Sequence, residues 1–347
     1  MVTSPTAFAN VAADPPTISS KLVRRAVSEQ FALDGEYKPL VSERDQNFHL
    51  RTRSGEQYVV KVTSAVEQRI VSDFHLACLL HLEAAGATAT PRVIRTAAGE
   101  GAGRIEYDRK THVLRVVSYL EGMPLSTAAI DSGIAREFGT QLANLDAALQ
   151  GFRHPGERPE LLWDLQRVTE LRALLHHIDS TTVGRSVALA IDDFESNVKP
   201  KLGSLRRQVI HGDANPENVM LNESRRVCGF IDFSDSVNAP LVFDVAIAAS
   251  YLRGVEPLAL IAPFVAAYQA ALPLQKDELE VLFDLVRARL ATTISILYWR
   301  LAERAAEDAY REKTLQTEGS ATHFLDALDA LGRDEFVSRI KREIGAG

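Results

Sequence analysis

The run Val209 to Leu221, VIHGDANPENVML, followed by GFIDFSDS from Gly229 to Ser236, spaces two carboxylates and one amide as phosphoryl transfer needs them. That chemistry asks mainly for positioned groups and neutralised charge: a carboxylate to accept the proton of an attacking hydroxyl, and oxygen ligands for divalent ions bridging nucleotide phosphates. Asp213 suits the first task. Asn218 and Asp232 suit the second. His211, two residues before Asp213, is better placed to fix the loop by a hydrogen bond than to transfer a proton.

Short buried strands must deliver these groups, and the apolar residues before His211 and the run Val227 to Ile231 read as such strands, each leading to an acidic residue. Upstream, Lys38 to Val41, Phe48 to Thr52 and Tyr58 to Thr63 read as strands, the second and third joined by a turn at Ser54-Gly55. Lys61 lies between Val60 and Val62, so alternation turns it away from the apolar face and toward a cleft. Val66 to Ala85 carries Ile70, Phe74, Ala77, Leu80 and Leu82 at near-helical spacing. SSKLVRRAVSEQF opens on serine caps and sets Val23, Val27 and Phe31 on one helical face, while residues 1–17, rich in Ala, Thr and Pro, read as disordered. LRVVSYLEG, Leu114 to Gly122, ends in a Gly-Met-Pro break, the pattern of a hinge whose backbone meets a purine through the Ser118 carbonyl and the Leu120 amide. Beyond it, Ile134, Phe138, Leu142, Leu145 and Leu149 form one helical stripe, and Pro257 to Leu301 supplies at least two more helices.

Two loops compete to cover a phosphate. Gly99, Gly101 and Gly103 form a glycine string, but it follows the helix and joins two strands, whereas a cover must precede the lysine strand. It reads as a flexible hairpin tip. Leu40 to Leu50, LVSERDQNFHL, is correctly placed and offers Ser42, Asp45, Gln46 and Asn47 in a turn able to aim N–H groups and a hydroxyl at phosphate oxygens.

HGDANPEN and IDF, in that order, resemble the aminoglycoside phosphotransferase and choline kinase superfamily of small-molecule kinases. More narrowly, SERDQNF, LANLDAAL, LLWDL and RLATTISILYWR resemble bacterial relatives of hydroxylysine kinase, across most of the chain. The resemblance implies an α+β, protein-kinase-like bilobal fold: an antiparallel-sheet lobe over residues 18–120 and a mostly helical lobe over residues 121–347. It implies Asp213 as catalytic base, Asn218 and Asp232 as ligands of Mg²⁺, and Lys61, Ser42, Asn47, Ser118 and Leu120 on ATP or GTP. Asp244 would tie the catalytic loop to the larger lobe. His75 stands where many relatives carry the glutamate that pairs with the lysine, and reads either as that lysine's neighbour or as a core histidine satisfied by backbone. The acceptor implied is a small amine-bearing alcohol, 5-hydroxylysine foremost, with Asp235 and Arg300 as candidates for its amines and carboxylate. Homoserine, choline, ethanolamine or an aminoglycoside are alternatives on the same fold. A regulatory pseudokinase is disfavoured by intact Asp213, Asn218 and Asp232.

The 347 residues, 46% hydrophobic and 24% charged, are ordinary for a globular protein with two cores. A net charge of -7 gives no footprint for nucleic acid or an anionic membrane, which leaves a small-molecule partner. The two cysteines, Cys78 and Cys228, read as small buried hydrophobes. With no secretory pattern at the N-terminus and no apolar run of membrane length, the expected compartment is the cytoplasm.

Overall fold

The computed structural model describes residues 15–42, 44–178, 180–303 and 310–346, so the expected disorder of residues 1–17 falls almost wholly outside the described residues. Contacts divide the chain into two compact units. One takes the described residues up to Gly122 together with Gly151–Leu162 and Gly229–Ser234; the other takes Met123–Gln150, Trp163–Cys228 and the chain from Asp235 onward.

In the first unit, helix α1 (Ser20–Phe31) starts where the Ser19 hydroxyl accepts the Leu22 N–H, and it buries Val23, Val27 and Phe31 as the spacing predicts. Six strands follow: β1 (Gly35–Leu40), β2 (Gln46–Thr52), β3 (Gln57–Val62), β4 (Val93–Ile94), β5 (Gly103–Tyr107) and β6 (Lys110–Ser118), with α2 (Arg69–Ala84) after β3. They form one sheet in the order β1-β2-β3-β6-β4, with β5 also on β6, and the resolved pairings are antiparallel. Alternation gives the sheet two chemically different faces. Phe48, Leu50, Val60, Val62, Leu114 and Val116 join the α1 residues in one apolar core. On the other face the register sets Asn47 opposite Lys61 and Lys61 opposite Arg115, a polar row across three strands.

The glycine string is not a hairpin tip. β4 and β5 both pair with β6 and not with each other, so Gly99 to Gly103 is a connection between two partners of one strand. The hairpin is β5–β6, and its turn is made by Asp108 and Arg109, both left-handed at φ 48° and 58°. Asp tolerates that region because its short side chain bonds locally, so the tight turn formed without a glycine to mark it.

In the second unit, β7 (Met123–Pro124) pairs with β9 (Val219–Leu221), and β8 (Arg207–Ile210) pairs with β11 (Val237–Pro240). The remainder is helical: α3 (Ser132–Ala148), a 3₁₀ stretch from Leu165 to His177, α4 (Thr181–Asp193), α5 (Val242–Ala249), α6 (Leu258–Ala271), α7 (Lys276–Glu303), α8 (Tyr310–Leu331) and α9 (Arg333–Ala346). Ile134, Phe138, Leu142, Leu145 and Leu149 are buried, confirming the stripe on α3. Gly139 of α3 lies so close to α6 that a Cβ there would stand 2.1 Å from the Phe264 carbonyl oxygen. A sheet-rich N-terminal part followed by a helical C-terminal part is the α+β arrangement expected.

Candidate active site

In the second unit the chain leaves β8 at His211 and turns sharply. Gly212 has φ +80°, and a Cβ on it would fall 2.3 Å from the Asp235 carbonyl oxygen, so only glycine fits between those backbones. The turn is clamped from beneath by Asp244, wholly buried near the start of α5, whose two oxygens accept the His211 N–H at 2.8 Å and the Gly212 N–H at 2.9 Å. Burial pushes the Asp244 carboxyl above its usual range, opposed by His211 and these two amides. The Asp213 N–H then donates to His211 Nδ1 at 3.2 Å, the loop-fixing bond expected of that histidine.

This scaffold presents the Asp213 carboxylate between two amides and a guanidinium. Its Oδ2 accepts from Asn215 Nδ2 and from Asn218 Nδ2, each at 2.9 Å, and Asn218 Nδ2 also reaches the Asp213 carbonyl at 3.0 Å. With its nitrogen so engaged, Asn218 has its amide oxygen as the atom to offer a cation. On the other side, Oδ1 of Asp213 accepts from Arg289 Nη2 at 3.1 Å.

Arg289, from α7, is the residue that sequence reasoning missed. Its side chain is 1% exposed, donates to the Trp163 carbonyl at 3.0 Å and the Tyr251 hydroxyl at 3.3 Å, and lies over both rings, 5.1 Å from the Trp163 centroid and 5.9 Å from that of Tyr251. Burial disfavours its charge, but the Tyr251 hydroxyl and the Asp213 and Asp235 carboxylates outweigh that, so its pKa is raised. The signal lay in RARLATTISIL: an arginine running into an apolar helical stretch has no reason to be buried unless something pairs with it. Arg300 lies about three turns further along α7, and its guanidinium stands 5.5 Å from the same Trp163 ring. Asp235, at 8% exposure, is a buried group rather than a surface charge.

β10 (Val227–Phe230) starts in the second unit, enters the first at Gly229 and runs on to Asp232, which holds a left-handed φ of 59°, uncommon for a non-glycine residue and frequent where a site dictates the backbone. Lys61 Nζ donates to Asp232 Oδ1 at 3.0 Å and to Ser234 Oγ at 3.2 Å, while Ser234 Oγ donates to the same Asp232 oxygen at 2.6 Å. Desolvation opposes ionisation, yet Lys61 and Ser234 hold the Asp232 carboxyl well below the usual carboxylate range. The alternation argument for Lys61 holds: Val60 and Val62 are fully buried in the core and the lysine is on the opposite face.

The remaining sequence candidates divide. Asn47 shares the Lys61 row, and its buried Oδ1 has no partner. The Ser42 hydroxyl accepts the Asp45 N–H at 3.3 Å, and Gln46 is tied to both backbone groups of Ile18. Gln46 and Asn47 belong to β2, not to a turn. Ser118 ends β6, bonded to Arg92 through its own N–H and its hydroxyl, and Leu120 follows it. Of the two expectations for His75, the core histidine satisfied by backbone fails: it is 2% exposed, and both ring nitrogens lack a hydrogen-bond partner. Burial, with Arg115 and Lys61 nearby, keeps its pKa well below the ordinary value, so it stands neutral.

The model of the phosphotransferase enzyme family APH matches residues 36–281. The chain belongs to that family. A hydroxylysine kinase of Danio rerio is 26% identical over 344 residues, spanning 93% of this chain and 95% of that protein. A homoserine kinase of Methylobacterium sp. (strain 4-46) is 30% identical over 251 residues, 70% of this chain and 73% of that one. Among solved structures, an amicoumacin kinase in complex with AMP-PNP, Ca²⁺ and Ami superposes with a TM-score of 0.68 at 13% identity, covering 89% of this chain and 94% of that one, a likeness of fold. This family member is a phosphotransferase with an alcohol group as acceptor. Among the described residues no helix is long and apolar enough to cross a membrane.

Proposed function

We propose that the protein transfers the γ-phosphoryl group of ATP or GTP to the hydroxyl of a small amine-bearing acceptor, with 5-hydroxy-L-lysine the first substrate to test. The observation that carries this reading is the Asp213 carboxylate, held by Asn215, Asn218 and Arg289 on a loop clamped by Asp244. A carboxylate held immobile beside a guanidinium can orient an attacking hydroxyl and take its proton, a role worth about 10² to 10⁴ in rate. The Lys61 ammonium, with Asn47 on the same row, meets phosphate oxygens, and the end of β6 at Ser118 and Leu120 meets the base.

The donor set fits Mg²⁺. Among the described residues no three His, Cys, Asp or Glu side chains converge as a protein-only cage. Mg²⁺ at phosphate sites takes only one or two protein oxygens and completes its shell with phosphate and water. The Asp232 carboxylate, ionised and in an unusual left-handed backbone conformation, would suit such a role, and so, in the other unit, would the Asn218 amide oxygen. When bound, the ion neutralises charge on the phosphates; the chain's own part is to hold Asp213, Lys61 and the substrates in place.

For the acceptor, Arg289 and Arg300 over Trp163 supply fixed positive charge suited to a carboxylate, and the buried Asp235 supplies negative charge suited to an amine. The resemblance to a hydroxylysine kinase favours 5-hydroxylysine, and that to a homoserine kinase favours homoserine as the second reading. Both carry an amine, a carboxylate and a hydroxyl. A screen of amino acids and amino alcohols with Mg·ATP and Mg·GTP tests the assignment. We expect kcat/KM for 5-hydroxylysine to exceed that for choline or ethanolamine by about tenfold or more, since a ligand lacking the carboxylate forgoes the charge-assisted contact with these arginines. Equal turnover of choline or ethanolamine would overturn the acceptor class.

A further inference from the structure

We infer that Asp45, in the segment between β1 and β2, is the acid that positions Lys61, in place of an acid on α2. This rests on Lys61 being the phosphate-binding lysine. The side chains of Asp45, Lys61 and Arg115 are 8%, 14% and 6% exposed, so each charge needs a counter-charge. Asp45 Oδ2 lies 3.9 Å from Lys61 Nζ and 4.0 Å from Arg115 Nη2, bridging the two cations that sit side by side on β3 and β6. Its other oxygen accepts the Ser64 N–H at 3.3 Å, just past the end of β3, and its own N–H is taken by the Ser42 hydroxyl. Arg115 Nη2 also donates to the Thr63 hydroxyl at 3.2 Å.

The helix offers no competitor. His75 is neutral and unpartnered, so it lends no negative charge to an ammonium. Asp73 is engaged with Arg69 at 2.8 Å on the exposed side of α2. Glu67, before the helix, accepts the Ser72 hydroxyl. The Lys61 ammonium is therefore held between Asp232 on one side and Asp45 on the other. Because Asp45 belongs to the same short segment that leads into Asn47, the loop facing the phosphates and the lysine that grips them are fastened by one carboxylate. Asp45 acts through Lys61 and is a positioning residue.

The test is a double-mutant cycle on nucleotide affinity, which needs no acceptor: Asp45→Asn, Lys61→Ala and the pair, with Mg·ATP and Mg·GTP titrated calorimetrically into the full chain. We expect Asp45→Asn to weaken binding about tenfold and the pair to bind no worse than Lys61→Ala alone, because one interaction is being removed twice. Asp45→Glu should recover most of the affinity, and Asp73→Asn should bind as the unaltered chain does. If Asp45→Asn fails to fold by circular dichroism, the cycle is run with Asp45→Glu, expected to lose at most about threefold alone and to add nothing to the loss caused by Lys61→Ala in the pair. Losses that multiply, unchanged affinity in Asp45→Asn, or an equal loss in Asp73→Asn would each overturn this inference and leave the phosphotransferase reading standing. If the unaltered chain bound neither nucleotide, both would fall together.

Discussion

Asp213 is legible from its motif, but what sits against it is not. Arg289 lies 76 positions further along the chain and reaches Asp213 only because α7 carries it there. Local spacing says nothing about a contact made across that separation, and a buried arginine in an apolar helix was the available sign. Replacing Arg289 by Ala should lower kcat by roughly 10- to 100-fold, the loss of a charge-assisted contact to the proposed base, with the nucleotide KM little changed. Steady-state kinetics at saturating acceptor would show it; unchanged kcat would mean that the guanidinium serves only packing against Trp163 and Tyr251. At Asp232 the informative substitution is Asn, which tolerates the left-handed backbone that Ala would strain. Asp232→Asn should fold normally and lose about 100-fold or more in kcat. Near wild-type activity across a Mg²⁺ titration would remove Asp232 from the proposed metal site. The pairing of Lys61 with Asp45 escaped the sequence reading for a related reason: alternation fixes the face a lysine occupies, not which loop acid leans over it.

Between elements, a tight constraint lies where α3 meets α6. Asp146 of α3 is wholly buried, and its Oδ2 accepts the Tyr268 hydroxyl of α6 at 2.6 Å. Burial first, and then the nearby Asp244 carboxylate, push the Asp146 carboxyl well above its ordinary value. The folded pKa therefore exceeds the unfolded one, so this group costs nothing below about pH 4 and costs progressively more as pH rises from there toward the folded value. Asp146→Asn removes the titration. Its Tm between pH 4 and 8 should fall less steeply than that of the unaltered chain, and an unchanged slope would place the titrating group elsewhere. Gly139→Ala, by contrast, should destabilise by about 1 to 3 kcal/mol, because its Cβ meets the backbone of α6 rather than a movable side chain. Periodicity gave away the apolar stripe on α3. It gave no hint of the glycine or the acid within that helix, whose meaning depends on the partner.

For the molecule as a whole, the order of strands and helices was readable because sheet alternation and helical stripes are strong along most of the chain. The β5–β6 hairpin was misread because glycine is only one way to make a left-handed turn. The family match stops at residue 281, yet the chain beyond it is built into the core. Phe336 and Ile340 of α9 are 1% and 3% exposed, and the Phe336 ring stands edge-on to Phe283 at 5.3 Å. Phe336→Ala should cost about 3 to 5 kcal/mol in denaturant unfolding while leaving the nucleotide KM intact; a loss under about 1 kcal/mol would show that α9 is dispensable. The stack at Trp163 carries one further consequence. Of the two tryptophans in the chain, Trp163 has the Arg289 and Arg300 guanidinium groups within 5.1 and 5.5 Å of its indole, and Arg289 touches Asp213. Any ligand that draws either guanidinium away alters the field on that indole, so, if the acceptor docks there as proposed, the intrinsic fluorescence of a Trp299→Phe protein becomes a label-free record of its arrival, separable in a stopped-flow trace from the chemistry that follows.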